Sequence, residues 1–339
     1  MNVVTAPEKI LVMRFSSLGD VAMVVPVVKS FLIEHPDKEI LMLSNKLYAD
    51  LFAGIDRLEF LGADLNKNEK GIIGIYRLYQ VLKKQYQIIA VADLHGVLRT
   101  FILSFLLKLS GKKIGTIDKG RFEKFALTRK GAKIFRQLPH STERYLKVFE
   151  ALGFRIEKAL TQLSKTLKPS SINPKLKIGF APFAKHSTKM YSLDNFKQVV
   201  SHFNKMPYKL YFFGGGSAEK RFIEEWENIF DRAVKKTAEL SLKEELELMK
   251  TMNVMVTMDS ANMHMASLVD VPVVSVWGAT HPYAGFYGFN QNPMNAVQVN
   301  LSCRPCSVFG KEPCWRGDNA CMKQITPEMI IDRVESLLV

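Results

Sequence analysis

Lys9-Ile10-Leu11-Val12-Met13-Arg14-Phe15, followed by Ser16-Ser17-Leu18-Gly19-Asp20, is the stretch on which the fold of this chain turns. The short apolar run Ile10–Phe15 reads as a buried strand, and Ser16–Asp20 reads as a turn. Val21–Glu34 then reads as a helix that stops before Pro36 and is kinked by Pro26. Strand, turn and helix recur outward from there. Glu39–Ser44, Ile88–Ala92 and Lys113–Ile117 are predicted strands, with helices over Ile75–Lys84, Val97–Leu109 and Glu143–Leu152. The polar, weakly periodic stretch Leu160–Pro174 interrupts the pattern. It then resumes with strands at Lys177–Phe180, Leu210–Phe213, Val254–Met258 and Val273–Trp277. The matching helices are Leu193–Asn204, Ala218–Phe230, Leu242–Met252 and Asn262–Val269. Such alternation predicts an α/β protein with parallel sheets covered by helices on both faces. The expected domains are 1–160, a linker at 161–175, and 176–339 with a cysteine-containing segment at 303–321. Ligands of such sheets sit beyond the carboxyl ends of the strands.

The 339 residues exceed one compact core, and 47% hydrophobic content excludes global disorder. The net charge of +14 is concentrated: Arg99 to Lys147 carries 13 Lys or Arg against Asp118, Glu123 and Glu143. A zone of this kind attracts polyanions such as nucleic acid, an anionic membrane or a phosphorylated glycolipid, unless it is simply a solvated surface. The start of the chain lacks the pattern of a secretory signal, and the apolar run Phe101–Leu107 falls far short of the ~20 residues of a membrane span. The expected location is therefore cytoplasmic, soluble or peripheral to a membrane.

Five constellations could carry chemistry. Asp20 follows Gly19 at the end of the first strand, where it would either cap the next helix or accept a hydroxyl proton. In Asp259-Ser260-Ala261-Asn262-Met263-His264 a strand gives way to a helix, whose free N–H groups suit a diphosphate. Asp259 would face sugar hydroxyls there, or be a plain cap. Lys185 and Lys189, in the loop after Lys177–Phe180, could neutralise a leaving diphosphate. Gly214-Gly215-Gly216-Ser217-Ala218-Glu219 invites a dinucleotide reading, but Glu219 stands where G-x-G-x-x-G needs its third glycine. Glu219 could instead hold ribose hydroxyls or be an exposed helix residue. All four cysteines, Cys303, Cys306, Cys314 and Cys321, lie close together, so a structural zinc, packed free thiols and disulfides stay open.

In this order the motifs resemble glycosyltransferase family nine, the ADP-heptose:lipopolysaccharide heptosyltransferases and their relatives. The resemblance spans nearly the whole chain. It rests on Arg14–Val21, Asp93-Leu94-His95-Gly96, His140-x2-Glu143-Arg144-Tyr145 and Lys189-Met190-Tyr191-Ser192. Asp259–His264, Gly278-Ala279-Thr280-His281-Pro282 and the cysteine segment with Ile325-Thr326-Pro327-Glu328 complete it. The resemblance implies a GT-B fold, two Rossmann-like domains facing across a cleft, and an inverting transfer needing no catalytic metal or other cofactor. It matches Asp20 to the general base, Lys189 to the donor-phosphate lysine, Glu219 to the ribose-binding glutamate and Asp259 to the donor-sugar aspartate. Ser260, Ala261 and Asn262 fall on the phosphate-binding helix start, with His264 beside it. Leu240 falls where an apolar side chain packs on adenine.

The implied partners are a nucleotide sugar, ADP-heptose foremost, and an anionic glycolipid acceptor met at the inner face of the inner membrane; no nucleic acid is expected. Three departures bear on the donor: Ala261 replaces a usual glycine, Ala184-Lys185 replaces a hydroxyl pair, and Tyr191 replaces a tryptophan. The competing readings are a relative with another donor or acceptor, a nicotinamide dehydrogenase lacking its glycine fingerprint, and a basic zinc-containing nucleic-acid binder.

Overall fold

The computed structural model describes residues 7–64, 71–156, 176–235 and 237–338. They form two units with one parallel five-stranded sheet each. The expected linker 161–175 lies outside the described residues.

In the first unit the strands are β1 (Lys9–Met13), β2 (Glu39–Ser44), β3 (Leu58–Gly62), β4 (Ile88–Asp93) and β5 (Lys113–Thr116), ordered β3-β2-β1-β4-β5. Every neighbouring pair is parallel. Strand β3 was not anticipated: it lies at the sheet edge and is only half-buried, so it lacks the continuous apolar run of the inner strands. The single helix expected over Val21–Glu34 is two, α1 (Leu18–Ala22) and α2 (Val24–Glu34), which meet at Met23. Pro26 does not kink a helix interior. It occupies the first turn of α2, where a missing N–H costs no intrahelical bond.

Two further helices, α3 (Gly71–Gln85) and α4 (Leu98–Leu109), cover one sheet face through Ile75, Leu78, Leu82, Leu103 and Leu107. After α5 (Arg121–Thr128) the chain forms α6 (Ser141–Ala151), which packs with α2. The Phe31 and Phe149 rings of that pair lie 5.1 Å apart.

The segment 120–140, which the sequence assigns to the N-terminal domain, groups with the second unit. Leu127 of α5 and Leu138 share a buried cluster with Ala284, and Leu138 N–H donates to the Tyr283 carbonyl at 2.9 Å. Nothing in its local pattern distinguishes this long-range attachment from packing on its chain neighbours.

The second unit orders its strands β10-β9-β8-β6-β7. These are β6 (Lys177–Ala181), β7 (Lys209–Phe212), β8 (Val254–Met258), β9 (Val273–Val276) and β10 (Ala296–Val297). Its helices are α7 (Leu193–Asn204), α8 (Ser217–Ile229), α9 (Leu242–Met249), α10 (Ala261–Leu268), α11 (Ala320–Lys323) and α12 (Pro327–Leu338). An aromatic core of Phe180, Phe196, Phe203, Phe212 and Trp226 lies under α7 and α8, and α12 adds Ile330 and Val334.

Candidate functional site

Each unit gathers polar groups at the carboxyl ends of its central strands. In the first unit, Arg14 directly follows β1, and Asp20 is the third residue of α1. Asp20 is thus not the cap itself. Its Oδ2 accepts from the Ser17 backbone N–H at 3.0 Å and from the Ser17 hydroxyl at 2.9 Å, closing a capping box. The same oxygen meets Arg14 Nη2 at 2.8 Å. Among the described residues Oδ1 takes no hydrogen bond, so one carboxylate oxygen is anchored while the other has open lone pairs. Burial pushes the carboxyl pKa up, but Arg14 and the two Ser17 hydrogen bonds outweigh it, and the group lies below its ordinary value.

Arg14 is itself fixed by donation to the Leu94 carbonyl at 2.7 Å and by the ring of buried Tyr145, whose hydroxyl donates to the Asp20 carbonyl at 3.2 Å. At the end of neighbouring β4, Asp93 accepts from the N–H groups of His95 and Gly96, at 2.9 and 2.8 Å. Gly96 has φ +55°, a conformation that L side chains resist. This turn sets the His95 ring 3.3 Å from the Ser16 hydroxyl. Burial, then Arg14 and Lys119, press the His95 pKa down to about 4, so its imidazole is neutral at physiological pH. His95 lies inside the Asp93–Gly96 motif, whose local pattern assigns it no role.

In the second unit, Lys189 and Asp259 form an ion pair of 2.8 Å, with side chains only 15% and 8% exposed. Asp259 directly follows β8, and its Oδ2 also accepts from Thr280 Oγ1 at 2.7 Å. The loop after β6 thus meets the loops after β8 and β9, as open parallel sheets permit.

Lys189 is guided by the cysteine segment. A Cβ on Gly310 would come within 2.6 Å of the Lys189 stem, and Thr188 Oγ1 donates to the Gly310 carbonyl at 2.6 Å. Thr280 is guided by Arg304, which is 4% exposed and donates to the carbonyls of Gly278, Trp277 and Thr280 at 2.5, 3.1 and 2.9 Å. Thr280, Arg304 and Gly310 were missed as functional candidates. The only signal for them was their place inside quoted motifs, since their work depends on contacts remote in sequence.

Ser260, Ala261 and Asn262 open α10, where first-turn N–H groups lack intrahelical acceptors. Ser260 is the N-cap by backbone conformation, yet among the described residues its side chain makes no cap hydrogen bond and its buried hydroxyl has no hydrogen-bond partner. His264 is buried one turn further on.

Glu219 lies in the first turn of α8 and accepts from the Gly215 and Gly216 N–H groups at 2.8 and 3.4 Å. It is close enough to Glu245 of α9 to help burial push that carboxyl up to about 7, against the influence of Lys220. Leu240 directly precedes Ser241, the cap of α9. Among the described residues, Glu219 and Leu240 make no hydrogen bond or ion pair with Lys189 or Asp259.

The structure lends the zinc reading of Cys303, Cys306, Cys314 and Cys321 no support. All four are free thiols, and among the described residues no three or more His, Cys, Asp or Glu side chains are arranged to hold a metal ion. The sulfurs turn to other partners instead: Cys306 to the Ala279 carbonyl at 3.8 Å, Cys314 to Asp318 at 3.9 Å and Cys303 to Arg316 at 3.8 Å. Burial, foremost, and the neighbouring cysteines push the Cys306 and Cys321 thiols up. Among the described residues no helix is long and apolar enough to cross a membrane.

Residues 75–313 match the family described as glycosyltransferase family 9 (heptosyltransferase). Lipooligosaccharide heptosyltransferase 2 of Campylobacter jejuni subsp. jejuni is 26% identical over 170 residues, 49% of this chain and 52% of that protein. The chain therefore spans about half the length of that relative. The lipopolysaccharide core heptosyltransferase OpsX of Haemophilus influenzae is 22% identical over 98% of this chain and 97% of its own. Among solved structures, a family 9 glycosyltransferase from Veillonella parvula superposes with a TM-score of 0.72 at 18% identity, covering 98% of both chains. The E. coli heptosyltransferase WaaC, solved with ADP, gives 0.67 at 16% identity over 97% of this chain and 99% of that one. The fold is the expected GT-B fold.

Proposed function

Because the chain belongs to glycosyltransferase family 9, we propose that it is an inverting glycosyltransferase that moves a heptose from ADP-heptose to a lipopolysaccharide core or similar glycolipid. The observation that carries this reading is the Lys189–Asp259–Thr280 cluster beside the start of α10. It puts a cation, a carboxylate and a helix N-terminus at the strand ends of one sheet, the chemistry that a nucleoside diphosphate sugar requires. WaaC, of the same fold, was solved with ADP.

In the proposed reaction Asp20 Oδ1 takes the proton of an acceptor hydroxyl as that oxygen attacks the anomeric carbon from the face opposite the diphosphate. The bond to the diphosphate breaks with its electron pair leaving on the phosphate oxygen, and the anomeric centre inverts. Arg14 and Ser17 keep Asp20 ionised and pointed. Lys189 and the N–H groups at Ser260–Asn262 take up the charge of the leaving diphosphate. Asp259 binds donor-sugar hydroxyls, with His264 beside it, while Glu219 holds the ribose and Leu240 packs on adenine. No catalytic metal takes part. The protein acts on the cytoplasmic side of the inner membrane as a peripheral protein. The linker at 161–175 joins an acceptor-binding N-terminal domain to a donor-binding C-terminal one.

Thermal stabilisation of the purified protein by ADP, UDP, GDP and NAD at one concentration tests the donor, with Asp259→Ala alongside. Selective stabilisation by ADP, weakened in the variant, is the expected result; transfer from ADP-heptose, with the product anomer read by NMR, then tests inversion. A preference for UDP or GDP would establish the second reading, a relative with another donor. Ala261, in place of glycine at the helix start, favours that alternative.

A further inference from the structure

Helices α3 and α4 turn one side toward the sheet, and among the described residues large apolar side chains on their other side stay exposed. On α4, Leu103 and Leu107 are buried, while Leu98, Phe101, Phe105 and Leu109 are 74%, 64%, 53% and 71% exposed. These four recur at helical spacing and form one continuous apolar stripe about 18 Å long, at 1.5 Å per residue. Helix α3 packs beside α4 and adds exposed Ile72, Ile73 and Tyr76. A soluble surface seldom gathers so many large apolar side chains.

Charge selects the occupant. Neither helix contains an Asp or Glu, whereas α3 carries Arg77, Lys83 and Lys84 and α4 carries Arg99 and Lys108. Lys112 and Lys113 follow α4 after Ser110 and Gly111. We infer that the α3–α4 face is a membrane-docking surface whose Leu and Phe side chains enter the headgroup–acyl boundary of an anionic bilayer while the flanking cations meet lipid phosphates. Apolar anchors ringed by Lys and Arg are the composition that an anionic interface binds.

The placement has a functional consequence within the first unit. Both helices return antiparallel to the strands, so their N-terminal ends lie at the carboxyl edge of the sheet. Leu98 is three residues beyond His95, whose ring reaches Ser16 in the turn that carries Asp20. A bilayer seated on α4 therefore lies beside the edge that bears Asp20. That consequence rests on the proposed lipid-linked acceptor; the docking surface itself does not.

The test is co-sedimentation of the full chain with phosphatidylethanolamine–phosphatidylglycerol vesicles and with phosphatidylcholine vesicles. The variants are Phe101→Ser/Phe105→Ser and Lys83→Glu/Lys108→Glu. These side chains are exposed, and an unchanged Tm certifies folding. Wild type is expected to bind the anionic vesicles. The serine variant should lose about tenfold or more in partitioning, and the charge variant should lose the preference for anionic lipid.

Equal partitioning of wild type and variants, or no wild-type binding, would overturn the proposal. So would a dimer seen in sedimentation velocity that the serine variant splits and vesicles leave intact, since the face would then belong to a second copy. Sugar transfer to a water-soluble, delipidated acceptor reads the catalytic proposal separately. Its failure with intact vesicle binding would sink the transferase and leave the surface standing.

Discussion

Lys189 Nζ and Asp259 Oδ2 meet at 2.8 Å, so the cation after β6 and the carboxylate after β8 are held by each other as well as by their own loops. Thr280 supplies the second donor to the same oxygen. Two residues matched separately to phosphate and sugar are thus one electrostatic unit.

Removing either partner strands the other as a largely buried, unpaired charge. Lys189→Met or Asp259→Asn is expected to lower the unfolding free energy by about 3–5 kcal/mol, with the double variant losing less than the sum of the two. Urea denaturation of the three variants measures this. Additive losses would show that the pair does not act as a unit.

Asp20→Asn keeps the shape of the capping box but removes the proton acceptor. Turnover is expected to fall ~10²–10⁴-fold while nucleotide-sugar affinity stays within about twofold. Steady-state kinetics beside calorimetric donor binding separates the two effects. Near-normal turnover would remove Asp20 from the reaction. Arg14→Met should shift the acidic limb of the pH–rate profile upward, because burial alone pushes the Asp20 carboxyl up and Arg14, together with Ser17, offsets it.

Arg304 ties the carbonyls of Trp277, Gly278 and Thr280 together from a buried position. Arg304→Met fills comparable volume but leaves those acceptors without their donor. The expected cost is about 3 kcal/mol or more, at ~1–3 kcal/mol for each unsatisfied buried group. Since Thr280 loses its guide, KM for the donor should rise with it. A stable Arg304→Met protein with unchanged KM would refute the positioning of Thr280 through Arg304.

His95 contributes one part of the pH dependence of stability. Burial, with Arg14 and Lys119, holds its pKa at about 4 in the folded chain, whereas the unfolded chain protonates near its ordinary value of about 6.5. The folded state therefore loses stability as pH falls from about 6.5 toward about 4, and His95 contributes no dependence above that window. His95→Gln should narrow the Tm difference between pH 7 and pH 5, and the wild-type His95 ring signal should not titrate above about pH 5 by NMR. A ring that titrates near 6.5 would contradict the buried, cation-flanked setting.

Much of the fold was legible because buried parallel strands leave a local mark. Glu39–Ser44 and Val254–Met258 are near-continuous apolar runs, and they form as read. Strand β3 escaped because an edge position removes that mark, and the break at Met23 escaped because α1 starts inside an apparent turn. Asp20 and Asp259 were legible through their position after a strand, where the doubly wound topology collects ligands.

The sequence by itself determined the α/β architecture, the two sheets and the strand-end residues, since each follows from hydrophobic period and turn chemistry within a few residues. Only the tertiary structure decided that Lys189 pairs with Asp259, that Arg304 and Gly310 guide them, and that 120–140 joins the second unit. Each of those depends on the distance between side chains remote along the chain, and packing, not local pattern, sets such distances.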